Sequence, residues 1–80
     1  MPKKVVIYTT RACPYCVAAK KFLQSKKVAF EEIDVTEDDA LREKLVEMTG
    51  GRETVPQIFV EGKPVGGYDE LVRDFERIFS

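Results

Sequence analysis

Eighty residues, 44% of them hydrophobic and 34% charged, make one small domain around a single core and leave no room for a second. A net charge of −1 lacks the basic footprint of a nucleic-acid binder, and no biased tract reads as disordered or fibrous. Met1-Pro2-Lys3-Lys4 leads into only four apolar residues, too few for a leader core or a membrane span, so a cytoplasmic chain without membrane partners is expected.

Lys3 to Thr9 is a β-branched and aromatic run without clean alternation, which predicts a central strand buried on both faces. Cys13-Pro14-Tyr15-Cys16 follows and holds both cysteines. In a reducing compartment such a pair points to catalysis or metal binding rather than to a permanent staple. If the segment opens a helix, residues three apart share a face, and the sulfurs can approach the Cα spacing of ~5.5 Å typical of a disulfide. Pro14 suits the first helical position, which puts Cys13 at or near the N-cap, at the positive end of the helix. Such sites lower a free cysteine's pKa from ~8.5 to between ~3.5 and 7.5, so Cys13 is the expected nucleophile. Cys16, one turn inside, is expected to stay a thiol and to resolve.

The helix continues to about Lys27 with Val17, Ala18, Phe22 and Leu23 at helical spacing. Val28 through Ile33 and Val35 reads as a second strand, parallel to the first. Thr36 before Glu37, Asp38 and Asp39 has the cap and acidic first turn of a second helix, with Leu41, Leu45 and Met48 as its stripe and Gly50-Gly51 as its stop. Gln57 to Val60, then Glu61-Gly62-Lys63, then Pro64-Val65 predicts a hairpin with Gly62 in the turn. Tyr68 to Phe79 returns to helical spacing.

This βαβαββα order is that of an α/β thioredoxin-like fold, a four-stranded mixed sheet flanked by three helices, with the C-x-x-C after the first strand. Over its whole length, residues 1–80, the sequence also resembles the glutaredoxin family, through Cys13-Pro14-Tyr15-Cys16, Thr54-Val55-Pro56 and Gly66-Gly67-Tyr68-Asp69. Thioredoxins have a tryptophan before a Cys-Gly-Pro-Cys, and this chain has no tryptophan.

The resemblance implies a glutathione-dependent thiol–disulfide oxidoreductase with glutathione as co-substrate, no permanently bound cofactor and no metal. By itself Pro56 is a loop proline; the matching proline of glutaredoxins is cis, and Val55 would then offer its backbone to glutathione beside Thr54. By themselves Gly66-Gly67 are turn residues before a helix; in the family this loop binds the γ-glutamyl end, with Gly67 and Tyr68 shaping the pocket and Asp69 matching the residue that receives the amino group. Tyr15 would wall the thiol pocket. Many glutaredoxins carry a lysine where this chain has Thr10, so the candidates for a compensating positive charge are Arg11 and Arg52, the latter at a position where related sequences have a basic or amide side chain.

The implied reaction is attack of the Cys13 thiolate on a protein–glutathione mixed disulfide, or on a protein disulfide with Cys16 resolving, by a monomer whose partners are glutathione and glutathionylated or disulfide-bonded proteins. Two other readings keep the cysteine pair: a small redoxin recharged by thioredoxin reductase, and a zinc or iron–sulfur dimer, since a lone C-x-x-C supplies only two of four ligands and the chain has no histidine.

Overall fold

The strand β1 (Val5–Thr9) lies inside the sheet, with β2 (Glu31–Asp34) on one side and β3 (Gln57–Val60), then β4 (Lys63–Gly66), on the other. This computed structural model describes residues 3–79; Met1 and Pro2, the start of the segment read above as too short for a leader, lie outside them. β1 pairs in parallel with β2, from Val6 opposite Glu31 to Thr9 opposite Asp34, and antiparallel with β3, from Val5 opposite Val60 to Tyr8 opposite Gln57. β3 and β4 are antiparallel, with a register irregularity between Ile58 and Phe59 that sets Ile58 opposite Gly66. The sheet is the mixed one expected.

Two apolar clusters cover its faces. On one, α1 (Pro14–Ser25) brings Ala19 and Leu23, and α3 (Tyr68–Arg73) brings Leu71, onto Val5, Ile7, Ile58 and Val60; α4 (Phe75–Phe79) adds Phe75, Ile78 and Phe79. On the other, α2 (Asp39–Met48) sets Leu45 against Val35 and Phe59. Burial along β1 therefore alternates: Val5, Ile7 and Thr9 are buried, while Val6 and Tyr8 are half-buried. Burial on both faces was expected, but three helices shield one face and a single helix the other, which leaves Val6 and Tyr8 only half-buried. Removing a side chain such as Ile7, Leu23, Ile58 or Leu71 from water contributes about 1.5–3 kcal/mol each, so this central cluster dominates the stability.

Local chemistry explains where the elements start and stop. The hairpin turns through Glu61 (φ 53°) and Gly62 (φ 79°), two consecutive left-handed residues as a type I′ turn requires. The paired part of β2 is shorter than expected, because its first rung is Glu31 opposite Val6; Val28 and Phe30 pack on the core without joining the sheet. The cap of α2 is Asp38, whose carboxylate accepts from the Leu41 amide at 3.0 Å, rather than Thr36. Thr36 is held elsewhere: its amide donates to Asp34 Oδ1 at 2.8 Å, and its hydroxyl accepts from the Arg11 amide at 2.9 Å.

The single terminal helix expected over Tyr68–Phe79 is broken at Asp74, which gives four helical segments instead of three. The Asp74 carboxylate is drawn to Arg73 at 3.0 Å and Arg77 at 2.9 Å, and Phe75 turns to pack edge-on against Phe22 with ring centres 5.3 Å apart. That contact anchors α4 to α1.

Strand directions bring three connections to one margin of the sheet. β1 ends there, β3 begins there, and β4 ends there, since Tyr8 faces Gln57 and Gly66 faces Ile58. The loops before α1, before β3 and before α3 therefore meet.

The reassigned cap is directly testable. Asp38→Ala should lower stability by about 1 kcal/mol through loss of the first-turn bond, read as a shift in the urea midpoint at constant slope. An unchanged midpoint would mean that α2 begins without this cap.

Candidate active site

Cys13 is the N-cap of α1, with extended backbone (φ −136°, ψ 98°), and Pro14 is the first helical residue. The two cysteines are joined as a disulfide with their Cα atoms 5.2 Å apart, so one helical turn is enough to bring them together. The Cys16 amide lies 3.1 Å from both the carbonyl oxygen and the Sγ of Cys13, and Val17 donates to the same carbonyl at 3.2 Å. The two residues differ in depth: Cys16 is 1% exposed beneath the helix, whereas Cys13 is 9% exposed at its tip. An amide aimed at Cys13 Sγ, at the positive end of a helix, favours negative charge on that sulfur when the bond is opened.

The loop before β3 faces the outer sulfur. The Val55–Pro56 peptide is cis, as the resemblance implies, and the Val55 carbonyl oxygen lies 3.7 Å from Cys13 Sγ. From there an open groove of about 230 Å³ runs along the surface. It gathers Tyr15, Arg52, Thr54, Val55, Pro56, Gly67, Tyr68 and Asp69, every binding residue read from the sequence except Arg11, and adds Glu70. Tyr15, 62% exposed, leans toward Tyr68 with ring centres 6.1 Å apart, which closes the groove across α1 and α3.

The two arginines behave differently. Arg11 is paired with Asp34 at 3.7 Å and Glu37 at 3.3 Å, and it does not line the groove. Arg52 lines it, with Nη2 donating to Glu70 Oε1 at 2.7 Å. The same oxygen accepts from the Gly67 amide at 3.2 Å, so Glu70 ties the loop before β3 to the start of α3. Its carboxyl is held below the usual range, first by the Arg52 hydrogen bond and then by the Gly67 amide. Gly66 lies underneath at φ +123°, and a Cβ there would sit 2.8 Å from Glu70 Oε1 and 3.0 Å from Arg52 Nη1. Glycine is required by both the backbone and the ion pair above it.

Glu70 was not read from the sequence, although Gly67-Tyr68-Asp69-Glu70 carries a signal for it: an acid three residues after an N-cap reaches back to the cap's amide. Gln57 was missed as well. It is the lone polar residue in the buried run of β3, and its Nε2 donates to the Thr54 carbonyl at 2.6 Å. Larger clefts of about 410 and 710 Å³ lie by the C-terminal helices, around Lys63 and Ile78 and around Phe22 and Lys26, away from both sulfurs. Size alone does not mark the chemistry.

A disulfide at a helix start, its first cysteine at the helix tip and its second beneath the helix, on this thioredoxin-like frame fits the class of thiol–disulfide oxidoreductases. Comparison with known proteins narrows the class. The family model described as Glutaredoxin matches residues 5–65. Glutaredoxin 1 of Rickettsia conorii is 46% identical over 70 residues, covering 84% of this chain and 67% of that protein. The crystal structure of glutaredoxin 1 from Francisella tularensis, complexed with cacodylate, superposes with a TM-score of 0.80 at 36% identity over 95% of each chain. That of a buckwheat glutaredoxin–glutathione complex gives 0.85 at 27% identity, over 94% of this chain and 70% of that one. The chain belongs to the glutaredoxin family.

The Arg52–Glu70 pair predicts a pH effect of definite sign. Because folding lowers the Glu70 pKa, its contribution is complete above the unfolded glutamate value near ~4.3 and is lost as pH falls through the lower folded value. Glu70→Gln should therefore lower stability at neutral pH by at most about 1 kcal/mol and flatten the acid limb by the same amount as pH falls below about 5, measured by urea unfolding across the acid range. A variant with the wild-type acid limb would show that the pair is not formed in solution.

Proposed function

We propose that the chain reduces protein–glutathione mixed disulfides and protein disulfides at the expense of glutathione, with Cys13 as nucleophile and Cys16 as resolving thiol. The observation that carries this reading is the groove beside Cys13, where the Val55 backbone, the Arg52 guanidinium and the Asp69 and Glu70 carboxylates line one surface. Such a groove matches a short extended peptide that bears both carboxylates and an ammonium group. It is open and smaller than the ~300–1,000 Å³ of enclosed ligand pockets, which suits a peptide lying half in solvent. The likeness to a buckwheat glutaredoxin solved with glutathione supports the same ligand.

In the one-cysteine route the Cys13 thiolate attacks the glutathione sulfur of the mixed disulfide. The protein sulfur leaves as a thiolate and takes up a proton, and Cys13 carries the glutathionyl group. A second glutathione thiolate then attacks that group, which releases glutathione disulfide and restores the Cys13 thiolate. For a protein disulfide, the Cys13 thiolate attacks one target sulfur, the target S–S bond breaks, and the other target sulfur leaves as a thiolate that takes up a proton. Cys16 attacks Cys13, expels the target thiolate and leaves the Cys13–Cys16 disulfide, which two glutathiones reduce. Both routes need Cys13 to be a good leaving group, and the Cys16 amide and the helix start favour it as a thiolate.

In the groove, Thr54, Val55 and Pro56 would provide the backbone edge for the tripeptide, and Tyr15, Gly67 and Tyr68 its walls. Asp69 would receive the γ-glutamyl amino group. Arg52 is better placed than Arg11 to meet a glutathione carboxylate, because its partly exposed side chain lines the groove and that of Arg11 does not. The protein would act as a cytoplasmic monomer on glutathionylated or disulfide-bonded proteins, with no bound cofactor.

Cys13→Ser should abolish turnover on both a glutathionylated peptide and a protein disulfide, whereas Cys16→Ser should keep the first activity and lose the second. Loss of deglutathionylation in Cys16→Ser would overturn the division of roles.

Asp69→Asn keeps the shape and a possible cap while removing the charge, so it isolates recognition from folding. A charge-assisted bond to an ammonium contributes about 1.5–3 kcal/mol, so glutathione-dependent kcat/KM should fall roughly ten- to hundredfold. Alkylation of reduced Cys13 by a small reagent lacking the γ-glutamyl group should be unchanged. Equal losses with both reagents would assign Asp69 to the fold or to general thiol reactivity.

A further inference from the structure

Gln57 is 1% exposed, and its Oε1 is the one buried side-chain polar atom among the described residues with no hydrogen-bond partner. Its other amide atom is engaged. Nε2 donates to the Thr54 carbonyl at 2.6 Å and lies 3.4 Å from the Thr54 hydroxyl. The backbone of Gln57 is meanwhile a rung of the sheet, opposite Tyr8 of β1. A side chain rooted in the sheet thus reaches back three residues and closes Thr54–Val55–Pro56 into a ring.

We infer that Gln57 is a positioning residue for the thiol site, one that fixes the Val55 backbone beside Cys13 and along the groove. This rests on the reading of the groove as the glutathione site. The carbonyls of the ring explain how the effect is transmitted. That of Thr54 is taken by Gln57, that of Val55 lies 3.7 Å from Cys13 Sγ, and that of Pro56 backs onto Gly67, where an added Cβ would stand 3.3 Å away. Releasing the first frees the other two to move, so one side chain sets both the thiol edge and the far wall. Packing alone does not account for the residue. All four positions of β3 are buried, the other three are apolar, and an apolar side chain at 57 would bury no unpartnered Oε1 but would leave the Thr54 carbonyl without its donor.

Two variants test the role in the full reduced chain. Gln57→Met keeps the length and removes both amide atoms; Gln57→Leu removes them in a shorter, branched side chain. Each is assayed on a glutathionylated peptide and on the same peptide capped with cysteamine, which lacks the γ-glutamyl and glycine groups. The expected result is a KM for the glutathionylated peptide raised about tenfold, with kcat and the rate on the cysteamine-capped peptide within about twofold of wild type. The amide order parameter of Val55 should also fall from the rigid value of ~0.85 toward ~0.6, with Ile7 and Ile58 unaffected. If Gln57→Met does not fold, Gln57→Leu carries the comparison.

A wild-type KM in both variants, or equal losses on both substrates, overturns the inference and leaves Gln57 a core residue. A wild-type enzyme that does not distinguish the two caps defeats the glutathione reading itself. In that event the Val55 order parameter decides the positioning role: a drop confined to the loop upholds it, and a rigid Val55 overturns it.

Discussion

Antiparallel pairing of β1 with β3 is the constraint from which the rest of this structure follows. Its rungs run from Val5 opposite Val60 to Tyr8 opposite Gln57, and the apolar residues on them, Val5, Ile7, Ile58 and Val60, form the floor on which α1 and α3 pack. The last rung has a chemical consequence. By holding Gln57 beside the end of β1, it delivers the segment just before β3 to the segment just after β1. That is why the Val55 carbonyl meets Cys13 although the two residues are 42 positions apart in the chain. A shift of one residue in this register would turn Ile7 and Ile58 away from α1 and move Val55 off the sulfur together, so core packing and active-site assembly are specified by the same pairing.

The asymmetry between the cysteines comes from their places on α1. Position on the first turn decides which sulfur meets the helix's unpaired amides, and depth decides which one solvent and substrates reach. Cys13, as the cap, has the Cys16 amide aimed at its sulfur; Cys16 is sealed under the helix against the core. Two chemically identical side chains separated by Pro14 and Tyr15 thus sit in different surroundings.

Electrostatics in the groove act through geometry more than through stability. A partly exposed ion pair such as Arg52–Glu70 contributes at most about 1 kcal/mol to folding free energy, because water already solvates both groups. Its effect is to hold a guanidinium in one place, over a glycine that leaves space for it, while the same carboxylate holds the Gly67 amide at the start of α3. Arg11 shows the opposite outcome. Two carboxylates on the far side of its loop pair with it and draw it off the groove. Nearness to the cysteines in sequence does not measure nearness to the site.

The features legible in the sequence alone are those set by neighbours in the chain. Pro14 after Cys13 makes a helix start, Gly62 between two apolar runs marks a hairpin turn, and helical apolar spacing marks helix faces, since each depends on contacts within a few residues. The family motifs likewise marked Tyr15, Arg52, Thr54 to Pro56 and Gly67 to Asp69, and the fold gathers these around one groove. What only the tertiary structure decided involves choices between competing partners. Thr36 had the character of a helix cap, but the Arg11 amide, 25 residues away, took its hydroxyl and left the cap to Asp38. The final helix kept its apolar spacing and yet broke at Asp74, where Arg73 and Arg77 hold the carboxylate and Phe75 swings onto Phe22. Arg52 found Glu70, and Arg11 found Asp34 and Glu37, for a shared reason: a charged side chain pairs with whichever opposite charge the fold brings within reach, and reach is a property of the folded sheet rather than of the chain order.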